Sequence, residues 1–266
     1  MSPLHLSVRK TGRLRFSPFP RETSAKGRSR DGYTLIEILF VVALIVGIMS
    51  IIAPAFDAMT QRGNVGTAAY EIAGALETAR TYAITHNTYT WVGFFEEDLS
   101  ARPTTPATPG VGKVVLSLVA SKNGALPYEP EKLRPIESEK LIQLGKLMKV
   151  EGVHLTTFSN DAEESVNFFN RPPASDDAAR IGDTTPSTPS ETPFRYPLGK
   201  EPVRYTFTKA VQFSPRGEAS VNNRSMKPVA EIGLTPTRGN TTMKSTSNKA
   251  AVQITGIAGN VKVYRP

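Results

Sequence analysis

The chain has 266 residues and is 39% hydrophobic, enough for one domain of ordinary size plus an apolar anchor but not for a second large domain. It contains no cysteine, which excludes a disulfide framework and a thiolate metal site. Its net charge of +8 suggests nucleic acid until it is divided along the chain: residues 1–32 carry eight basic and two acidic groups, residues 33–194 carry 12 and 19, and residues 195–266 carry 12 and 3. A chain shortened to residue 33 is nearly neutral, acidic in its middle and basic towards its end.

After the basic segment 1–32, the run Ile38–Phe56 holds no charged residue and has the length a helix needs to cross a hydrocarbon core of roughly 30 Å. A secretory signal would place a shorter apolar core ahead of its cleavage site, whereas here Gly32 precedes the apolar run, so any cut falls before the helix. The basic flank favours the cytoplasmic side. Glu37 is the informative residue, because a carboxylate at the mouth of an apolar helix is costly unless paired. A cut between Gly32 and Tyr33 creates an α-ammonium one helical turn from Glu37. The partner is then either the chain's own amine or that of a neighbouring copy, and an intermolecular pair would set the register of a helical stack. Pro54 predicts a kink where the helix leaves the apolar run.

Beyond Pro54 the helix is expected to continue, weakened at Gly63 and Gly66. Val65, Ala69, Ile72, Leu76, Ala79 and Ala83 follow at spacings of 4, 3, 4, 3 and 4, a stripe that belongs against a sheet. The pattern turns β-branched and aromatic at Thr88–Val92. Later strand signals lie at 114–119, 153–158, 203–208, 211–213, 230–234, 251–255 and 261–264. Between them, loops 102–109 and 171–197 are rich in Pro, Ser and Thr and read as exposed. A long helix followed only by strands indicates an α+β fold with the helix packed on a small antiparallel sheet. The expected domains are a leader at 1–32, the membrane half of the helix at 33–56, its amphipathic half at 57–87 and a β-rich domain at 88–266.

The segment Gly32-Tyr33-Thr34-Leu35-Ile36-Glu37 resembles the cleavage and methylation motif of type IV prepilins and type II secretion pseudopilins. Pro54, the twenty-second residue from Tyr33, stands where many members carry proline. Asp31 occupies a position that is commonly basic, and Tyr33 one that is commonly phenylalanine. Leu76–Asn87 is similar to the helix end of H-type minor pseudopilins, Phe213-Ser214-Pro215-Arg216-Gly217 to their Phe-x-Pro-x-Gly turn, and Val252–Tyr264 to their last hairpin. The ending Val261–Pro266 is closest to the D family of the Verru_Chthon cassette, although Gly259-Asn260 replaces a Gly-Arg turn. The resemblance implies a pilin-like fold, cleavage after Gly32 and N-methylation of Tyr33 by a prepilin peptidase, and register-setting by Glu37. It also implies a single-pass inner-membrane precursor with an extracytoplasmic domain, delivered by an assembly platform with other pilins into a secretion or pilus-type filament.

No enzyme, cofactor or metal is expected. His5, His86 and His154 are scattered, and no phosphate loop or nucleophile motif is present. Asp176, Asp177 and Asp183 lack the alternate spacing of a calcium loop. Arg216, Arg224, Lys227, Arg238, Lys244 and Lys249 offer the one rival, a DNA-binding minor pilin, but few aromatics are interleaved and the middle of the chain is acidic, so a solvated face is favoured. A monomeric membrane-anchored binding domain is the other alternative.

Overall fold

The computed structural model describes residues 33–127, 135–160, 170–176, 179–182, 193–221, 226–243 and 248–266, and of residues 51–64 the helical backbone alone. The chain divides after Ser50 into two compact units. One long helix, α1, runs over Leu35–Thr85. Thirteen strands follow: β1 Thr90–Asp98, β2 Gly112–Ser121, β3 Leu141–Gln143, β4 Met148–Thr156, β5 Arg180–Ile181, β6 Phe194–Tyr196, β7 Tyr205–Phe207, β8 Lys209–Phe213, β9 Ala219–Val221, β10 Val229–Arg238, β11 Thr241–Thr242, β12 Ala250–Thr255 and β13 Val261–Tyr264. A 3-10 turn at Ser138–Lys140 is the other helical element among the described residues.

Eleven strands form one sheet, with the order β13-β12-β10-β4-β2-β1-β8-β9 and with β3, β5 and β11 attached at its sides. Pairing is antiparallel except for β5, which runs parallel to β10. The remaining two strands, β6 and β7, make a separate ribbon.

The alternation of side chains along β1 and β2 sends residues to two different cores. Val92, Phe94, Val114, Leu116 and Leu118 lie in one buried cluster with Val65, Ala69, Ile72, Leu76, Ala79 and Ala83 of α1, the six positions that the helical spacing picks out. Four of those six are alanine or valine, and such small side chains let the helix backbone approach the sheet. Trp91, Val115 and Val119 lie in the second cluster with Ile136, Leu141, Phe194, Tyr205, Phe207 and Ala210. The centre of the sheet is therefore covered on both faces. Asn87, with φ of 48°, takes the left-handed conformation that ends α1. Just beyond it, Thr90 Oγ1 donates to the carbonyl of Ala79 at 3.0 Å, tying β1 to the helix.

The expectation of an α+β, pilin-like fold with a long helix on a small sheet is overturned. The protein is mostly β, with 38% of residues in strands against 22% in helix, and its principal sheet alone has eleven strands. The reading of 102–109 as an exposed loop holds at every residue but Ala107, whereas that of 171–197 fails. Within 171–197 lie β5 and β6, and Arg171, Ala174, Ala179, Arg180, Ile181 and Phe194 are buried. In 102–109, Ala107 is buried in the second core and its N–H donates to the carbonyl of Arg204. These segments have few apolar residues, but each places one or two against a hydrophobic surface built elsewhere, which composition averaged over a window does not detect.

Polar groups fasten these segments. Arg171 donates from Nε and Nη2 to the two carboxylate oxygens of Glu231 at 2.7 and 2.8 Å, and Gln253 Nε2 donates to Glu231 Oε2 at 2.7 Å. Both members of this ion pair have side chains only 1% exposed, so losing one would strand a buried charge. On the ribbon side, Glu97 accepts from Tyr205 Oη at 3.3 Å and from Arg204 Nη2 at 3.2 Å, with Lys113 Nζ at 3.7 Å. Burial is the main cause that raises the Tyr205 phenol above 10.0, with the Arg204 hydrogen bond opposing it.

Two measurements check this architecture. A Cβ on Gly93 would lie 2.5 Å from Cζ of Phe194 and 2.7 Å from Cβ of Phe207. Gly93→Val should therefore lower stability by about 1–3 kcal/mol in denaturant unfolding, whereas Gly74→Ala, whose Cβ meets nothing within 4 Å, should be neutral or slightly stabilising. Because the Tyr205 pKa is raised in the folded state, its contribution is fully present below pH 10.0 and is lost as pH rises through the folded value. The unfolding free energy should thus fall more steeply with alkaline pH in the wild type than in Tyr205→Phe.

Candidate functional site

The described part of the first unit is the helix start, Tyr33–Ser50. The sequence Thr34-Leu35-Ile36-Glu37 forms a reciprocal capping box. Thr34 N–H donates to Glu37 Oε2 at 3.3 Å, the Thr34 hydroxyl reaches the same oxygen at 3.4 Å, and Glu37 N–H donates to Thr34 Oγ1 at 3.3 Å. Two of the donors left over at a helix N-terminus are satisfied in this way. Glu37 thus also completes the start of its own helix, a role legible in the Thr-x-x-Glu spacing but absent from the sequence reading. Among the described residues its hydrogen bonds run only to Thr34, through Oε2, which leaves Oε1 open.

No described residue of this unit covers the apolar side chains. Thirteen large ones from Tyr33 to Met49 are between 47% and 82% exposed, and they occupy every side of the helix. A helix apolar all round belongs inside lipid or among other helices. Among the described residues, no helix is long and apolar enough to cross a membrane. The expected cleavage residue Gly32, its neighbour Asp31 and the rest of the expected leader lie outside the described residues, as do the side chains around Pro54; α1 is continuous in sequence past that position.

In the second unit, two C-terminal segments singled out in the sequence, the Phe213–Gly217 turn and the last hairpin, meet the helix end at Arg80. Gly217, φ 82°, ends the Phe213–Gly217 turn, and Gly259, φ 62°, sits in the last hairpin. A Cβ on Gly259 would press into the Gly217 carbonyl and lie 3.0 Å from Cδ and Nε of Arg80; one on Gly217 would lie 3.4 Å from that Nε. Arg80 Nη1 pairs with Glu77 Oε2 at 3.3 Å, and Glu77 Oε1 accepts the N–H of Val261 at 3.1 Å. This knot joins helix, turn and hairpin, and it leaves Arg80 Nε buried with no hydrogen-bond partner among the described residues.

The remaining candidates disperse. His86 stacks on Tyr82 at 3.9 Å, while His154 Nδ1 bonds Glu96 at 2.8 Å. Asp176 accepts from the Ala179 N–H at 2.9 Å and pairs with Lys227 at 2.6 Å; Asp177 and Asp183 lie outside the described residues. Of the six basic residues, Lys227 is so engaged, Lys249 lies over the Phe158 ring at 5.7 Å, Arg216 and Arg238 are exposed, and Arg224 and Lys244 lie outside the described residues. No group of three potential metal ligands occurs among the described residues.

Comparison with known proteins finds no matching family model, no matching curated protein and no matching solved structure.

The knot at Arg80 makes a direct demand. Gly259→Ala should destabilise the β domain, through left-handed strain and contact with Arg80 and Gly217. Asn260→Ala, at the neighbouring exposed position, should cost less than half as much in the same thermal-melt series.

Proposed function

We propose that the chain is a filament subunit of the minor pilin or pseudopilin kind. It is cut ahead of Tyr33 by a prepilin peptidase, held in the cytoplasmic membrane until assembly, and built into a secretion or pilus-type filament by packing its helix start against those of other pilin-like subunits. The assembly platform extracts it, and the β domain is displayed on the extracytoplasmic side. Membrane insertion rests on the sequence run Ile38–Phe56.

The observation that carries this reading is the exposure of thirteen large apolar side chains from Tyr33 to Met49. Fully burying such a side chain gains roughly 1.5–3 kcal/mol, which supports a state in which these residues are covered. Lipid covers them before assembly and neighbouring helices cover them afterwards. Glu37 then has two tasks. Its Oε2 caps its own helix, and its charge meets the α-ammonium that cleavage creates, drawing copies into a fixed axial register. Nucleic-acid binding is not favoured, since Lys227 and Lys249 are already engaged within the fold.

N-terminal sequencing of the mature protein should return Tyr33, and an uncut chain would overturn the reading. Glu37→Ala should still be cut and membrane-bound but absent from filaments. Glu37→Gln separates the two tasks, because its amide oxygen can still cap the helix. It should fail to assemble like the alanine variant, and normal assembly by Glu37→Gln would remove the register role.

A further inference from the structure

Strand β2 ends at Ser121, and the chain turns away through Lys122-Asn123-Gly124-Ala125. Asn123-Gly124 is the only asparagine–glycine pair in the sequence. The glycine has a left-handed φ of 73°, a conformation it enters without steric cost. Asn123 is exposed, and its Oδ1 accepts the Ala125 N–H at 3.2 Å. That bond, from a side chain to the N–H two residues on, closes an Asx-turn and folds the carboxamide back over the Asn123–Gly124 peptide. The Ser121 hydroxyl, 2.6 Å from the Ala125 carbonyl and 2.9 Å from Asn123 Oδ1, holds both ends of the turn. Neither Asn123 Nδ2 nor the Gly124 N–H carries a hydrogen bond among the described residues.

The turn thus brings a carbonyl carbon beside a backbone nitrogen that is unbonded and has no side chain next to it to hinder its approach. The Ala125 N–H already meets the oxygen on which negative charge develops when that nitrogen adds. We infer that Asn123 is a site of intramolecular deamidation in the folded chain. The Gly124 amide gives its proton to hydroxide, and its nitrogen forms a bond to Asn123 Cγ. The Cγ–Nδ2 bond breaks, ammonia leaves with a proton from water that restores the hydroxide, and a cyclic imide remains. Water then opens the ring. Addition at Cγ gives aspartate, and addition at the main-chain carbonyl carbon gives isoaspartate, in which the backbone runs through the former side chain. Water is the only co-reactant.

Exposure alone does not single out Asn123. Asn87, Asn240 and Asn260 are exposed too, but Thr88, Thr241 and Val261 follow them, and a β-branched neighbour crowds the attacking nitrogen. The product also alters the fold. A Cβ on Gly124 would lie 3.1 Å from the carbonyl oxygen of Asn87, where α1 ends, and the last turn of α1 holds no basic residue. The new carboxylate arises near the negative end of the helix dipole, and the longer backbone of isoaspartate presses on the same contact.

The full chain in detergent is aged in mildly alkaline buffer. Peptide mapping by mass spectrometry reads each asparagine, and isoaspartate is counted by enzymatic methyl transfer from S-adenosylmethionine. Conversion at Asn123 should run about tenfold or more faster than at Asn87, Asn240 or Asn260, a barrier difference of about 1.4 kcal/mol, and should rise with hydroxide concentration. Asn123→Gln would have to close a larger ring. It should lose the isoaspartate signal and keep its melting temperature on ageing, while the aged wild type melts lower. No conversion at Asn123, equal conversion at the other three, or an isoaspartate signal that persists in Asn123→Gln would each overturn the assignment. Unchanged melting of the converted chain would overturn its effect on the helix end.

Discussion

The structure depends on a sheet whose central strands are apolar on both faces. In β2, nine of ten residues are buried and only Lys113 is partly open. Such a strand cannot sit at the surface of a two-layer protein; it needs cover on each side. One cover is the stripe of α1 from Val65 to Ala83, and the other is the β6–β7 ribbon with its aromatic pair Phe194 and Phe207, stacked at 4.9 Å. Gly93 is the point where the ribbon comes closest, because it has no side chain to hold Phe194 off. The need for this second cover is why segments poor in apolar residues are ordered at all.

The edges of the sheet follow from the same economy of cover. Strand β13 ends the strand order, and an edge strand exposes backbone groups that invite pairing with another chain. Here it is bonded to α1. Val261 gives its N–H to Glu77, Gly259 packs on Arg80, and Arg265 lies so close over Gly66 that a Cβ there would approach Nη1 to 2.8 Å. The helix rises about 21 Å between residues 66 and 80, and the strand advances about 20 Å between residues 259 and 265. The two lengths match, so the final strand runs antiparallel along the helix. One of its backbone donors, the Val261 N–H, is taken by the Glu77 carboxylate.

What could be read from the sequence divides along physical lines. The six helix positions and the overlap of every predicted strand run with an observed strand were legible because burial on one element imposes a period. Strands β3, β5, β6, β9 and β11 were not, since each has two or three residues with no longer apolar or β-branched run around it, whereas the three-residue β7 lies within VRYTFT. The ordering of Arg171 was invisible for another reason: its partner Glu231 lies 60 positions away, and charged residues beside prolines usually signal a solvated loop. The capping box at Thr34 and Glu37 could have been read, but the cost of a carboxylate in an apolar helix drew attention away from the hydroxyl three residues before it. The Glu96–His154 pair depends on where β2 stops, which no local pattern encodes.

The two parts of α1 obey opposite rules, and that contrast carries the functional argument. From Val65 onward, small apolar residues are interleaved with polar ones, and the stripe Val65, Ala69, Ile72, Leu76, Ala79 and Ala83 is buried in the chain's own core. From Leu35 to Met49 the helix is apolar on every side, with large side chains that no other described residue covers. Propensity does not explain the difference, because alanine would make a better isolated helix than isoleucine or valine. Bulky β-branched residues around the full circumference are what the proposed packing against lipid or similar helices would use. A single ionisable group, Glu37, interrupts that surface, and it stands at the mouth of the helix, where its own N-terminus stabilises negative charge. In the filament proposed above, that charge would recur at one fixed axial position in every copy, which is the basis of its proposed register role.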